Sequence, residues 1–482
     1  MGVPAIGQEH RSFTAGTRLV QVEVVVRNKN GPVTGLTRDD FEILDQGKAQ
    51  PISVFAAGST AAAPGFAPAV AAEPGAVSNR AKGSAGATVL LLDQLNTAIE
   101  NQGYAQKELV KYLQSADAGE QIAIYLLGST LKVVQDFTGD RATLAQAVRK
   151  WNPVDLYLLL QSTDTMDEVD RGNYNNPIAA ARRAAITVDA LGTIAQHLSG
   201  MPGRKSLIWV SDSPAGVGMQ LLSGANIHLY PVLARGVGSS GVFAWMRDTR
   251  AMGRAAGFAP PPFPAGHELE RQRGIAAAAA ATGGAGFTDS QDLSAAVRTA
   301  ALDRDNAYVL GFYPAEEALD NKFHTLAVKL RKESAHGAVT IRYRPGYFAS
   351  KAPGRMFQPA SVDSVLRNPL DATAIGITAA PSADGGRYSV TVTVDLRDVS
   401  FTYENNRHLG GLEVSFADDA TRQVQTETLR FNFTDTQYAS VLQNGLTLRK
   451  VLEQKAAVRI VARDPATGAA GSVRVSGAGT AP

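Results

Sequence analysis

Two apolar runs of this sequence lead into acidic residues. Residues 88–92 run directly into Asp93, and residues 206–210 are followed by Ser211 and Asp212. Continuous apolar runs are typical of buried parallel strands, and an open parallel sheet binds its ligands at the carboxyl ends of its strands. Carboxylates and hydroxyls that meet there are hard oxygen ligands suited to Mg²⁺, Mn²⁺ or Ca²⁺. The alternative is that each acid caps the following helix or lies in a solvated loop.

The elements that would position these acids alternate along the middle of the chain. Buried-strand patterns are separated by stretches with helical spacing. The strands are expected at 88–93, 121–127, 206–210 and 227–232, and the main helices at about 98–115 and 177–198. This alternation predicts a doubly wound, mostly parallel α/β sheet over 87–315.

Segments with β patterning flank the α/β region on both sides. An N-terminal β segment at 15–57 is followed by a linker rich in Ala, Pro and Gly at 58–86, and a β-hairpin is expected within 316–350. Short β segments cannot bury a face alone, so we expect 15–57 to pair with 320–348. Residues 360–482 are expected to form a separate β-sandwich.

Composition narrows the classes of function. Lys and Arg number 47 against 45 Asp and Glu, with no long basic run, so nucleic-acid binding is not expected. No apolar run is long enough to span a bilayer. The absence of cysteine excludes disulfides and thiolate chemistry. Together with a first strand expected soon after residue 15, it favours a secreted, periplasmic or envelope protein whose signal peptide has been removed.

Several stretches together resemble a known family. ATVLLLDQLNT, GEQIAIYLLG, LKVVQDFTGD, GRKSLIWVSDS, IHLYPVLARG and ATGGAGF occur in the order and spacing of a von Willebrand factor A (VWA) domain. The flanks LVQVEVVVRNKNGPVTGLTRDDFEILDQGK, AYVLGFYP and RYRPGYF are similar to the VWA-related proteins common in Acidobacteria. The resemblance covers about 15–348. It implies a bacterial protein that serves protein–protein recognition or adhesion and is not an enzyme.

The resemblance also implies a metal-ion-dependent adhesion site (MIDAS). Its first loop has the form Asp-x-Ser-x-Ser, and a Thr and an Asp come from two later loops. Asp93 matches the first ligand, Thr97 the last hydroxyl and Asp212 the late Asp, while Thr163 or Thr165 matches the middle Thr. The ion expected there is Mg²⁺ first, with Mn²⁺ or Ca²⁺ as alternatives. Its open position would take an acidic residue of a protein partner.

The sequence departs from the family pattern in the first loop. Leu95 stands where the middle hydroxyl belongs, and leucine cannot bind a cation. A second hypothesis is therefore a metal-independent scaffold of the cell envelope that binds through β edges or loops. A third is a nucleotide-dependent enzyme that uses the GVGSSG run at 236–241, although that run does not follow the first strand of a βαβ unit. Trp209 and Tyr230 lie inside apolar strands and are expected in the core.

Overall fold

The computed structural model describes fourteen stretches of the chain, and the architecture below is that of these residues. They are 19–58, 76–80, 86–97, 99–115, 121–153, 177–212, 218–234, 266–288, 293–331, 337–350, 360–384, 387–418, 423–452 and 457–475. Among the helices within them, none combines the length and apolar character needed to cross a bilayer.

The elements follow one another in four groups. The first is β1 (Val20–Asn28), β2 (Gly31–Pro32), β3 (Phe41–Asp45), β4 (Lys48–Gln50), β5 (Val54–Ala57) and β6 (Val77–Ser78). The second is β7 (Gly86–Asp93), α1 (Ile99–Ser115), β8 (Ile122–Leu127), β9 (Leu131–Thr138), α2 (Arg141–Lys150), α3 (Pro177–Leu198), β10 (Arg204–Ser211), α4 (Met219–Gly224), β11 (Ile227–Leu233), α5 (Gly266–Ala280) and α6 (Leu293–Asn306). The third is β12 (Tyr308–Phe312), β13 (Phe323–Leu330), β14 (Thr340–Arg342) and β15 (Gly346–Phe348). The fourth is α7 (Val362–Arg367), β16 (Ile377–Asp384), β17 (Arg387–Val394), β18 (Phe401–Glu404), β19 (Arg407–Asp418), β20 (Val424–Phe433), α8 (Asp435–Asn444), β21 (Leu446–Leu452), β22 (Val458–Arg463) and β23 (Ala470–Val475).

The second group folds into one five-stranded sheet with helices on both faces. Its order is β11-β10-β7-β8-β9, and only β9 runs antiparallel to its neighbour. Successive residues of a strand point to opposite faces, so Val89 and Leu91 enter the core under α3 and α4 while Leu90 and Leu92 enter the core under α1, α2 and α6. The continuous apolar run of β7 therefore serves both faces. The predicted α/β class with a mostly parallel sheet is confirmed.

The sheet order reverses between β7 and β10. Counted along this domain, the strands lie in the order 3-2-1-4-5, which is the doubly wound arrangement with its switch point between strands 1 and 4. Connections leave these two strands in opposite directions, and doubly wound sheets bind their ligands outside the carboxyl ends of the strands at such a point. Asp93 ends β7 and Ser211 ends β10, so both residues lie at this switch point.

The first group, apart from β6, and the third group form a two-sheet β module into which the α/β domain is inserted. One sheet has the order β14-β1-β12-β5, with β2 beside β1, and the other has the order β15-β13-β3-β4. Their facing side chains share one core that includes Val22, Phe41, Phe312 and Val328. Strands β5 and β12 are antiparallel neighbours. The chain thus leaves the module and returns to it through adjacent strands.

The fourth group forms a second sandwich that recruits a strand from the N-terminal side. One sheet has the order β21-β17-β16-β6, and the other joins β18, β19, β20, β22 and β23. Strand β6 lies within the stretch expected to be a linker. The Asn79 side chain beside it donates to the carbonyls of Ala372 and Ile375, both at 2.8 Å, and accepts from the N–H of Ile377 at 2.8 Å. A two-residue strand is too short to leave a periodic pattern in the sequence.

A buried ion cluster joins the β module to the base of the α/β sheet. Glu23 of β1 accepts from Arg204 at 3.0 Å and from Asn226 at 2.8 Å, and its Oε2 lies 3.1 Å from Nε2 of His228. Burial by itself raises the pKa of Glu23, but His228, Arg204 and Lys205 together lower it from 4.5 to about 2. Glu23 is therefore a buried carboxylate that the surrounding cations keep ionised.

The cluster extends to a second buried acid. Arg204 donates to the Tyr230 hydroxyl at 3.1 Å, and Tyr230 donates to Asp303 at 2.8 Å. Asp303 has no exposed surface and also pairs with Arg342 of β14 at 2.7 Å and with Arg27 of β1 at 3.1 Å. Both acids thus bridge the α/β domain and the module, because each one contacts residues on the opposite side of the junction.

Replacing Glu23 by glutamine is expected to destabilise the junction. The substitution leaves Arg204 buried without its counter-charge. The free energy of unfolding should fall by about 3 kcal/mol, the lower end of the range for breaking a buried ion pair, because glutamine keeps the shape of glutamate. Urea unfolding followed by circular dichroism measures it. The matched control is Glu42→Gln at a half-buried position of β3, which should cost far less. Equal losses in the two variants would contradict the role of Glu23.

The same substitution should change how stability depends on pH. A lowered folded-state pKa contributes stability above the unfolded value of 4.5, and that contribution is lost as the pH falls towards about 2. Wild-type stability should therefore decrease over this interval more steeply than that of Glu23→Gln. Urea melts at a series of pH values test this, and parallel curves for the two proteins would refute it.

Candidate functional site

The loop after β7 folds back over the end of β8. The backbone N–H groups of Gln94 and Leu95 both donate to the carbonyl of Leu127, at 2.8 and 3.1 Å. Leu95 has no exposed surface and packs in the core on the α3 side of the sheet. The position at which a MIDAS carries its middle hydroxyl is thus occupied by a core side chain, which fixes the path of this loop.

The Asp93 carboxylate lies beneath this loop and is held by nitrogen and hydroxyl donors. Its Oδ1 accepts from the Asn96 N–H at 2.9 Å, and the Asn96 Nδ2 lies 3.2 Å from Oδ1 and 3.0 Å from Oδ2. The indole Nε1 of Trp209 donates to Oδ2 at 3.0 Å, and the Ser211 hydroxyl donates as well. Only 2% of Asp93 is exposed. Burial raises the pKa of Asp93, although the bonds from Asn96, Ser211 and Trp209 oppose this.

Asp212 and Thr97 meet beside Asp93. The Thr97 Oγ1 accepts from the backbone N–H of Asp212 at 3.2 Å. The Asn101 Nδ2 donates to both carboxylate oxygens of Asp212, at 2.9 and 2.8 Å. The Gln102 side chain donates to the Thr97 carbonyl at 2.7 Å, which ties the loop to α1. We call residues 93–97, Asn101, Ser211 and Asp212 the rim.

The structure brings together three of the five residues that the sequence singles out as metal ligands. Asp93, Thr97 and Asp212 lie on the rim. Thr163 and Thr165 lie within 154–176, outside the described residues. The GVGSSG run at 236–241 also lies outside the described residues. The metal-binding role of all five stays a prediction.

The described part of the rim does not fit a cation as it is arranged. A carboxylate offers about four lone-pair sites, and Asp93 receives four donors, from the backbone and side chain of Asn96, from Trp209 and from Ser211. Leu95 supplies no oxygen. Within the described residues, no three His, Cys, Asp or Glu side chains are grouped as metal ligands would be. A cation would have to displace donors that are already bound to Asp93.

Three rim contacts were not foreseen from the sequence. Asn96 lies in the loop after β7, and Asn101 lies in the first turn of α1. The only feature of the sequence that could have indicated their contacts is that both amides are close to the acid that ends β7. Trp209 was expected in the core, and it is fully buried there. The alternation of residues along β10 predicts the face of the sheet to which the Trp209 ring points. It does not predict that the indole N–H donates to Asp93.

Comparison with known proteins gives only distant similarities. No protein-family model and no curated protein matches the sequence. An aerotolerance-related membrane protein from Bacteroides fragilis, solved with multiple mutations to serines, matches at 10% identity and a TM-score of 0.25, over 45% of this chain and 98% of that chain. The vWF domain of the type V pili tip protein Mfa5 from Porphyromonas gingivalis matches at 20% identity and a TM-score of 0.16, over 27% and 38%. The manganese-loaded TRAP protein of Plasmodium vivax matches at 10% identity and a TM-score of 0.23, over 57% and 96%.

These structural neighbours include VWA-domain proteins, as expected from the sequence. These neighbours are too distant to indicate a function. The doubly wound sheet is defined by the strand order and pairing of this chain itself.

Replacing Trp209 by phenylalanine is expected to destabilise the α/β domain through Asp93. The change removes the indole N–H and leaves a buried carboxylate oxygen with one donor fewer, at a cost of about 1–3 kcal/mol beyond the lost ring volume. Trp151→Phe is the matched control, because Trp151 is also buried and its Nε1 has no hydrogen-bond partner. Urea unfolding of both variants compares them. Equal destabilisation would show that the bond to Asp93 contributes nothing.

Proposed function

We propose that this chain is a VWA-type recognition protein that binds another protein at the rim and is not an enzyme. The supporting observation is the placement of Asp93 and Asp212 at the switch point of a doubly wound sheet, where such folds bind their ligands. VWA domains commonly serve adhesion and protein binding. The family resemblance and the rim chemistry therefore favour the same role.

The surroundings of the two rim acids support recognition over catalysis. Among the described residues, Asp93 is bound by Asn96, Trp209 and Ser211, and Asp212 by the Asn101 amide. Asparagine amides and an indole do not relay protons, and Ser211 is the one hydroxyl among these donors. Most of the contacts therefore hold the carboxylates in place and do not supply the proton path that a general acid or base needs.

The loop after β7 also argues against a nucleotide-dependent enzyme. A phosphate cradle in this position is rich in glycine so that backbone N–H groups can approach the phosphates. Residues 94–97 contain no glycine, and the N–H groups of Gln94 and Leu95 are already bound to the Leu127 carbonyl. A protein partner is therefore favoured over a nucleotide.

We further propose that the protein acts outside the cytoplasm, at the cell envelope or secreted. The absence of cysteine in 482 residues supports this, because exported proteins often avoid unpaired thiols. Fractionation of the source cells, with a cytoplasmic enzyme as a marker, tests the proposal. Recovery with that marker would contradict it.

Changing the rim should remove partner binding. The immobilised wild-type chain, the double variant Asn101→Ala with Asp212→Ala, and Asp39→Ala are each exposed to envelope extract of the source cells. Retained proteins are quantified by mass spectrometry. Asp39 is the control because its side chain is 90% exposed on the β module. A protein retained by wild type and by Asp39→Ala should fall about tenfold with the rim variant, which corresponds to about 1.4 kcal/mol. Unchanged retention by a folded rim variant would refute the proposal.

A further inference from the structure

Both carboxylates of the rim are bound by asparagine amides. The Asn96 Nδ2 lies within 3.2 Å of both oxygens of Asp93, and the Asn101 Nδ2 lies within 2.9 Å of both oxygens of Asp212. In each case one amide donor faces a whole carboxylate, as a cation does. Asn101 is itself only 7% exposed, so this arrangement belongs to the folded interior and is not a chance surface contact.

The orientation of the Asn96 amide follows from its neighbours. Its Nδ2 also lies 3.2 Å from the Thr187 Oγ1, and the Thr187 hydroxyl donates to the Arg183 carbonyl at 2.8 Å. The proton of Thr187 is therefore used, and its oxygen can only accept from Asn96. Turning the amide over would place the Asn96 Oδ1 against Asp93 and Thr187 oxygens that offer it no proton. Asn96 thus turns its Nδ2, and not its Oδ1, towards Asp93 and Thr187.

The middle position of the loop offers no replacement oxygen. Leu95 has no exposed surface and is fixed in the core by its packing and by its N–H bond to Leu127. The Thr97 Oγ1 accepts from the Asp212 N–H. Of the three loop positions that carry ligands in an Asp-x-Ser-x-Ser motif, one holds an apolar side chain, and the acid at another is saturated with donors.

We propose that Asn96 and Asn101 replace a cation at this rim, so that recognition here is cation-independent. This inference rests on the rim being the recognition site proposed above. A rim without a cation has no open coordination position for an acidic residue. It presents the half-buried Asp212 carboxylate and Asn96 amide instead, which suit a partner that offers amide, hydroxyl or basic side chains. The partner chemistry therefore differs from the acidic residue that the family resemblance implies.

Titration calorimetry with Mn²⁺ on the full chain tests the proposal. Wild type should show no saturable binding up to about 1 mM, the weak end of the range for extracellular calcium modules. Asn96→Ser removes the amide donor, and Leu95→Ser together with Asn96→Ser also restores a hydroxyl at the middle position. Saturable binding should appear in the double variant, with a dissociation constant of about 10⁻⁴ to 10⁻³ M. Asn432→Ser, at an exposed position of β20, is the matched control and should stay silent.

Each outcome decides the proposal. Saturable Mn²⁺ binding by wild type that is lost in Asp93→Asn would overturn it. Failure of both folded variants to bind would also overturn it, because the amide would then not be what excludes the cation. Leu95 is a core residue, so the double variant has to be checked by circular dichroism. If it does not fold, Asn96→Ser carries the test, since removing the amide donor alone should then raise Mn²⁺ affinity above that of wild type.

The partner assay distinguishes this inference from the proposed function. Partner retention by wild type should be the same in EDTA and in Mg²⁺. If retention needs the rim but is abolished by EDTA, the rim is a recognition site and only the cation-independent mechanism is wrong. If no retained protein depends on the rim, the proposed function fails whatever the calorimetry shows.

Discussion

The arrangement of this molecule depends on ionised side chains buried between two domains. Glu23 and Asp303 neutralise arginines that lie on both sides of the junction. Buried charges are tolerated only where partners and hydrogen bonds replace the lost water, so the β module and the base of the α/β sheet must meet in one register. That fixed base lies at the end of the sheet opposite the rim, which leaves the carboxyl ends of β7 and β10 away from this junction.

The rim applies the same rule with neutral partners. Asp93 is buried like Glu23, but amide, indole and hydroxyl donors surround it where arginine and histidine surround Glu23. Neutral donors compensate a buried charge less fully, which is why the pKa of Asp93 is raised while that of Glu23 is lowered. One fold thus holds two buried carboxylates in opposite electrostatic settings, one at each end of its parallel sheet.

The sequence predicts the parts of this structure that depend on local pattern. Apolar runs locate the strands of the α/β sheet to within two residues, and the acids after them fall at the switch point because all carboxyl ends of parallel strands lie at one edge. The pattern does not predict contacts between distant residues. Trp209 reaches Asp93 across 116 positions and Arg204 reaches Glu23 across 181. Such contacts depend on side-chain rotamers and on how the domains pack together. The alternation of apolar and polar residues along a strand determines neither of these.

The insertion of the α/β domain has a mechanical consequence. On one side α6 runs straight into β12, which is hydrogen-bonded to β1 and to β5, and on the other the chain before β7 is anchored as β6 in the C-terminal sandwich. A tensile load applied at the rim therefore leaves the α/β domain by two covalent routes that end in different sandwiches. Each route enters a hydrogen-bonded strand, β12 on one side and β6 on the other, so the load passes into two different sheets.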